Sequence, residues 1–410
     1  MSKSRYLSAQ EAAAELGISL ATLYAYVSRG LLRSEEGDDS RRTRRYLAED
    51  VERLKARKEG RRSPEDAVEA SLHFGLPVLE SAITLIDRGK LYYRGHDATR
   101  LAEAASVEQV AGLIWTGHME QGGALFTTAQ HPAAARVRQA QALLVDLRAI
   151  DRFCVALPLA ASVDLAAYDL RPAAVTAAGA RILTLLVQLA GDEKTGGDGV
   201  AARLAAGWGV NDPDAGRLIS AALILCADHE LNISAFTARV VASGGATPYQ
   251  VVSAGLAALQ GYKHGGHTAR VEALLREIKQ PSNARAVLVE RLKRGEALPG
   301  FGHTLYPDGD PRAAYLLERL SQYAPRSEVL RLAQAVCSEA ETLFGQHPTI
   351  DLALVTLAGA LRLPDGAALA VFAIGRTIGW IGHALEQYAD DKMIRPRARY
   401  VGKQGSDTAL

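Results

Sequence analysis

Apolar and polar positions repeat at helical spacing along most of this chain, and the exceptions divide it into parts. Residues 5–62 are short-patterned and heavily punctuated. Ser8 precedes Ala-Gln-Glu11, the capping-box spacing that starts a helix. Ala12, Ala13 and Leu16 form the apolar stripe, and Gly17 stops it. A second helix is predicted from Leu20 to about Arg29, with Leu23, Tyr24 and Val27 facing inward and Gly30 as its C-terminal cap. Leu31-Leu32, an acidic loop and the extended basic run Arg41-Arg42-Thr43-Arg44-Arg45-Tyr46 come next. A third helix is predicted from Leu47 to about Lys58, with Val51 and Leu54 apolar, and Gly60-Arg-Arg-Ser-Pro64 reads as a linker. From about residue 72 to the end the pattern is almost wholly helical. Residues 81–97 depart from it: Ala82-Ile-Thr-Leu-Ile86 alternates, Asp87-Arg-Gly89 turns, and Lys90-Leu-Tyr-Tyr93 pairs back as a small hairpin. Helix breaks fall near 191–199, 207–213, 244–248, 295–310 and 363–366. No short repeat, dinucleotide fingerprint or phosphate-loop motif interrupts the run.

Composition agrees with that pattern. Apolar residues make up 48% and aromatics only 6%, which favours a mainly α fold with a large core. A chain of 410 residues suits two or three domains. Cys154, Cys226 and Cys337 are far apart and read as reduced thiols. The polar N-terminus, with no apolar run judged long enough to span a membrane, points to a cytoplasmic protein without membrane attachment. The net charge of +1 hides an asymmetry: residues 1–64 hold 14 basic and 10 acidic side chains, and the remainder is slightly acidic. A basic block beside a near-neutral body suggests a polyanionic partner for the N-terminal segment.

Helix, short glycine turn, helix, then an extended basic run resembles the winged helix-turn-helix heads of the excisionase and mercury-regulator type. That resemblance implies double-stranded DNA as a partner of residues 5–62. The second helix, with Thr22 and Tyr24, would enter the major groove, and Arg41, Arg42, Arg44 and Arg45 of the wing would touch phosphates. Two helices that bind protein, with a solvated arginine loop, are the competing reading.

Candidate chemistry is concentrated in the helical body. Asp228-His229-Glu230 leads into Asn232, Ser234 and Thr237. Gly261-Tyr-Lys-His264-Gly265-Gly266-His267 sets a histidine among glycines, which let backbone approach a ligand closely. Pro299-Gly300-Phe-Gly302-His303 leads to Asp310-Pro311-Arg312. Asp351 lies among apolar residues, Arg376 sits inside an apolar helix from Ala367 to Gln387, and Ile394-Arg395-Pro396-Arg397 lies near the C-terminus. Taken singly, each is more often structural: a core histidine, a paired arginine, a plain turn. The histidines lack metal-ligand spacing, so no metal is expected.

Taken together and in order, "ADHELNISAFTARVVASGGATPY", "HGG", "LPGFGHTLYPDGDPRA", "PTIDLAL" and "GRTIGWIGHALEQ…IRPR" resemble the citrate synthase family, and "LYYRGHDATRLAE" matches that family's N-terminal segment. The resemblance covers about residues 72–402. It implies a two-domain helical body, with a large domain of 72–264 and 362–410 and a small domain of 265–361. Residues 1–62 form the head and 63–71 the linker. It implies oxaloacetate and an acyl-CoA as substrates, acetyl-CoA or propionyl-CoA as co-substrate and no permanently bound cofactor. Asp351 would take the methyl proton, His264 would donate to the enol oxygen, and His303 would polarise and protonate the ketone. His229, Arg312 and Arg376 would hold oxaloacetate, and Arg395 would reach the site from the other subunit of a homodimer. Arginines suit a dicarboxylate because their planar donors stay charged. The glycines near 265 and 300 suit hinges.

The chain departs from the family's common wording at Tyr262-Lys263 before His264, at His267-Thr268 after Gly266, and at Thr304 and Pro307 after His303. These bear on acyl-CoA affinity and acyl choice, and leave 2-methylcitrate synthesis from propionyl-CoA as an alternative. The DNA-binding head raises another, a transcriptional regulator whose body senses oxaloacetate or acyl-CoA. A pure sensor would need the arginines but not Asp351 as a base.

Overall fold

Ser8 starts the first helix as its spacing requires: its hydroxyl accepts the Glu11 N–H, and the Glu11 carboxylate accepts the Ser8 N–H. The structure is a computed structural model that describes residues 6–28, 32–36, 44–48, 50–51, 54, 79–127, 136–137, 144, 146–191, 197–398 and 400–402. The chain divides into two compact units, residues 1–80 and 81–410.

In the first unit, β1 (Tyr6–Ser8), α1 (Ala9–Leu16) and α2 (Leu20–Ser28) precede a hairpin of β2 (Ser34–Glu36) and β3 (Arg44–Leu47). β3 lies between β1 and β2, antiparallel to both. Ala12, Ala13, Leu16, Leu23, Leu32, Tyr46 and Val51 form its core. Gly17 takes the left-handed conformation that ends α1. Two expectations fail here. Tyr24 is 52% exposed rather than inward, because the helical repeat turns its side chain away from Leu23. Leu47 closes β3 opposite Tyr6, so the third helix begins after it, with residues 48, 50, 51 and 54 helical. Arg33 fastens the hairpin to that helix through the buried Asp50, with Nε at 2.9 Å. Gly30, Arg41, Arg42, the end of the third helix and the 63–71 linker lie outside the described residues.

The second unit opens on the expected hairpin, β4 (Thr84–Asp87) and β5 (Lys90–Tyr93), extended by β6 (His96–Asp97). The helices that follow are α3 (Ala98–Ala104), α4 (Val107–Thr116), α5 (Gly122–Thr127), α6 (Ala149–Ala161), α7 (Pro172–Ala190) and α8 (Val200–Gly207). Next come α9 (Pro213–Leu225), α10 (Ile233–Ser243), α11 (Pro248–Leu259), α12 (His267–Ile278) and α13 (Ala284–Lys293). The last four are α14 (Pro311–Tyr323), α15 (Glu328–Phe344), α16 (Ile350–Ala360) and α17 (Ala367–Asp390). Every helix break read from the glycines and prolines is present.

α7 and α17 are long and apolar enough to cross a membrane by length and composition, contrary to the expectation that no stretch is. Their apolar windows are 72% and 89% buried inside the unit, so both serve as core helices. α17 packs against α7, α9, α10 and α11. Gly379 sets its depth: a Cβ there would lie 2.4 Å from the Ala227 carbonyl. The bare backbone instead donates its N–H to that oxygen at 2.9 Å. This contact brings Arg376, one turn earlier, beside the Cys226–Asn232 connection.

Candidate active site

His229 lies on the connection between α9 and α10, not within a helix. Tyr93 on β5 anchors this connection, its hydroxyl lying 3.0 Å from the Ile224 carbonyl and 3.2 Å from that of Asp228. Asn232 then caps α10 by accepting the Ser234 and Ala235 N–H groups. Between them Glu230 holds φ +52°, a conformation uncommon for a side-chain-bearing residue. The His229 ring is buried, with Nε2 3.0 Å from the Tyr306 hydroxyl. Burial, then repulsion from Arg312 and Arg376, holds its pKa well below the ordinary imidazole value, so the ring is neutral.

His264 ends a tight turn before α12. Its Nε2 is 2.8 Å from the Ser234 hydroxyl oxygen, which also accepts the Trp380 indole N–H at 3.2 Å. That hydroxyl has one proton and two acceptors in reach, His264 Nε2 and Asn232 Oδ1, the latter at 2.8 Å. When the proton goes to His264, the ring carries its own proton on Nδ1, free for a ligand. Burial, helped by Arg376, lowers the His264 pKa to about 3.

The loop between α13 and α14 brings His303 and Tyr306 to the same place. The His229 and His303 rings are 5.2 Å apart, and His303 and Tyr306 4.9 Å. His303 Nδ1 accepts the Leu305 N–H at 3.1 Å, which leaves Nε2 as the protonated nitrogen. Burial and then Arg312 lower its pKa to about 4, with Asp310 pulling the other way. Asp310 caps α14 and grips Arg312 through Nε at 2.9 Å and Nη2 at 2.8 Å. Burial opposes the Arg312 charge, but Asp310 outweighs it and holds the guanidinium above its ordinary range. Asp310 also accepts the Ile350 N–H at 3.0 Å, tying α14 to the start of α16.

Asp351 stands in the first turn of α16, sheltered but reachable. The Thr349 hydroxyl donates to its carboxylate at 3.2 Å. Burial raises the Asp351 pKa above the ordinary carboxylate value, against the pull of His267 and Arg312. Arg376 is 1% exposed. Its Nε donates to the Cys226 carbonyl at 2.8 Å, and its guanidinium stacks 4.9 Å from the Phe372 ring. No carboxylate of the described residues lies within ion-pair distance of it. Burial lowers its pKa, with Asp228 pulling the other way. A buried cation of this kind is costly unless an anion joins it.

The structure therefore gathers His229, His303 and Arg312 around Tyr306. Arg376 joins them across the Cys226 connection, and Asp351 through the Asp310 bond to α16. His264 stands on Ser234, in the first turn of α10. Arg395 is exposed in the C-terminal tail and outside this cluster. Tyr93 and Tyr306 were not singled out from sequence, and Ser234 and Asp310 were named in the candidate passages without a role. Tyr306 and Asp310 stand within the His303–Arg312 passage, a signal that could have marked them. Tyr93 lies 131 residues before its partner Ile224, and its place in the quoted LYYRGHDATRLAE segment gave no sign of that contact. Behind the site, His383 is fully buried between Asp228 at 3.2 Å and Glu386 at 3.8 Å. Arg239 pairs with Glu386 at 3.2 Å, the structural ion pair its apolar setting suggests.

In the head, Ser19 caps α2 by accepting the Thr22 N–H at 3.2 Å. Tyr24, Arg44 and Arg45 are exposed. Successive strand positions face opposite sides, so Arg44 and Arg45 do not share a face.

Residues 73–397 match the family described as citrate synthase, C-terminal domain, and residues 6–59 match a helix-turn-helix domain family. The chain is 38% identical over 188 residues to citrate synthase 2 of Bacillus subtilis, covering 44% of this chain and 50% of that protein. It thus spans about half the length of the first curated relatives it matches. It is 30% identical over 362 residues to citrate synthase of Haloferax volcanii, covering 81% of this chain and 96% of the relative. The crystal structure of citrate synthase from Thermotoga maritima superposes with a TM-score of 0.70 at 26% identity, over 82% of this chain and 96% of that one.

Proposed function

The chain belongs to the citrate synthase family, and we propose that it condenses the methyl carbon of acetyl-CoA with the ketone of oxaloacetate to give citrate and free CoA. The observation that carries this reading is Arg376, a buried guanidinium with no carboxylate of the described residues within ion-pair distance, close enough to the neutral His229 and His264 to lower their pKa values. A dicarboxylate substrate supplies the missing anion. Arg312 adds a second cationic site through Nη1, since Asp310 takes its other two nitrogens, and His229 lies against the same space.

The methyl group beside a thioester is a very weak acid, so a base alone does not suffice. Asp351 takes the proton while the His264 Nδ1–H donates to the developing enol oxygen in a site that excludes water. The enol carbon then attacks the oxaloacetate ketone. As the carbon–carbon bond forms, the His303 Nε2–H passes its proton to the ketone oxygen. Water cleaves the resulting thioester and releases the CoA thiol. Neutral rings suit these tasks, because a charged imidazole beside Arg312 and Arg376 would be repelled. The acyl-CoA is a co-substrate, and the chemistry requires no resident cofactor. The large and small domains, 72–264 with 362–410 and 265–361, would close over it.

Thiol release from acetyl-CoA and from propionyl-CoA, each with oxaloacetate, tests the reading and decides between citrate and 2-methylcitrate as product. Folded protein that binds oxaloacetate but releases no thiol from either would refute it.

A second reading concerns the head and rests on Tyr24, Arg44 and Arg45, which present an exposed helix face and a basic wing. Residues 6–59 bind duplex DNA in this reading, as a regulator governed by the body's ligands or beside catalysis in a cytoplasmic enzyme. Affinity for duplex should fall steeply with salt and vanish when residues 1–64 are removed. Equal affinity with and without oxaloacetate and CoA would exclude regulation by the body.

A further inference from the structure

His267 is a polar side chain at this site to which the condensation gives no task. It opens α12, three residues after His264, and its Nε2 accepts the Gly300 N–H at 3.0 Å. Gly300 is held on its other side as well. Its carbonyl accepts the Thr349 N–H at 2.8 Å, and the Gly302 N–H donates to the His347 carbonyl at 2.9 Å. The short segment that leads into His303 is thus clamped between α12 and the segment that leads into Asp351. Gly300 has φ +82°, and a Cβ there would lie 2.8 Å from Val271 Cγ2, one helical turn beyond His267. That close approach is what lets an imidazole on α12 reach a backbone amide. The ring also stands near enough to Asp351 to favour its ionised form.

We propose that His267 is a positioning residue for the condensation, tying the His264 turn, the His303 loop and the Asp351 segment into one register through its bond to Gly300. It rests on the condensation reading. Three groups that must meet around one acyl-CoA and one ketone arrive from three separate segments, and errors of about 1 Å in such meetings cost on the order of 100-fold in rate. His267 is the side chain that touches the second segment, follows directly from the first and neighbours the base of the third.

The test compares His267→Leu with His267→Gln, whose Oε1 can replace Nε2 as the acceptor for Gly300. Two quantities are read: steady-state thiol release, and hydrogen exchange of the amides in residues 299–303. The Leu variant should lose about 10- to 100-fold in kcat, with KM for oxaloacetate within about twofold and thermal stability close to wild type, and its Gly300 amide should exchange faster. The Gln variant should keep the protection and recover most of the turnover. Wild-type kcat in the Leu variant, equal impairment of both variants, or unchanged exchange in the Leu variant would each overturn the proposal. If Leu does not fold, His267→Asn, too short to reach Gly300, takes its place with the same expected losses. Silence of the wild type with both acyl-CoAs would remove the condensation reading alone. The exchange comparison would then decide the tether, faster exchange in Leu with protection in Gln supporting it and equal exchange overturning it.

Discussion

Asp351 has to be a base strong enough to attack a carbon acid and yet ionised when substrate arrives. Burial raises its pKa, and His267, Arg312 and the Thr349 hydroxyl limit the rise. A carboxyl with a raised pKa is ionised only above that raised value, so the acid limb of kcat/KM for the acyl-CoA should lie above the ordinary carboxylate value of about 4. The same shift has a stability cost of opposite sense: the folded state favours the protonated acid, so this contribution is full at low pH and is lost as pH rises through the folded value. Asp351→Asn should lower kcat by roughly 10²- to 10⁴-fold while oxaloacetate still binds, because the neutral amide keeps the shape but cannot take the proton. A pH–rate profile with its acid limb at the unperturbed carboxylate value, or an Asn variant with near wild-type kcat, would deny Asp351 this role.

At the scale of elements, the site depends on how deeply α17 seats against the Cys226–Asn232 connection, and Gly379 is the contact that decides it. Alanine there would put a methyl group 2.4 Å from the Ala227 carbonyl and the Asp228 carboxylate. Neither can move far: Asp228 contacts the buried His383, and its own carbonyl is held by Tyr93. Gly379→Ala should therefore cost about 1–3 kcal/mol of stability and raise KM for oxaloacetate, since Arg376 and His229 ride on the two displaced segments. Denaturant unfolding and an oxaloacetate titration would check this, and a variant unchanged in both would count against the packing argument. The helices and their breaks were legible because glycine, proline and apolar spacing act locally. The residues proposed for catalysis and substrate stood out only as a set, since taken singly His229, His264, His303, Arg312 and Arg376 read as structural, and Arg395 lies apart from the cluster. Tyr24 and Leu47 were misplaced because local spacing does not say which face of a helix is covered or which strand a residue pairs with. The contacts of Tyr93, Ser234 and His383 were not foreseen for a related reason: their partners come from distant segments, and only folding makes them neighbours.

For the whole molecule, the outstanding residue is Arg395. It lies in an exposed tail outside the buried cluster, and a role in the site of a second copy is the part of the proposal that remains to be tested. α6 and α10 leave Val155, Ile233 and Val240 exposed, apolar surface available for such a pairing. In a two-fold dimer each site would combine Asp351 of one subunit with Arg395 of the other. Co-expression of Asp351→Ala with Arg395→Ala discriminates this from action within one chain. Each homodimer is impaired at both sites. A heterodimer has one site carrying both substitutions and one site carrying neither. With random assembly, half the dimers are heterodimers with one intact site each, so about one quarter of wild-type turnover should return. If Arg395 served the site of its own chain, every heterodimer site would still carry one substitution, and the mixture would be no more active than the average of the two variants.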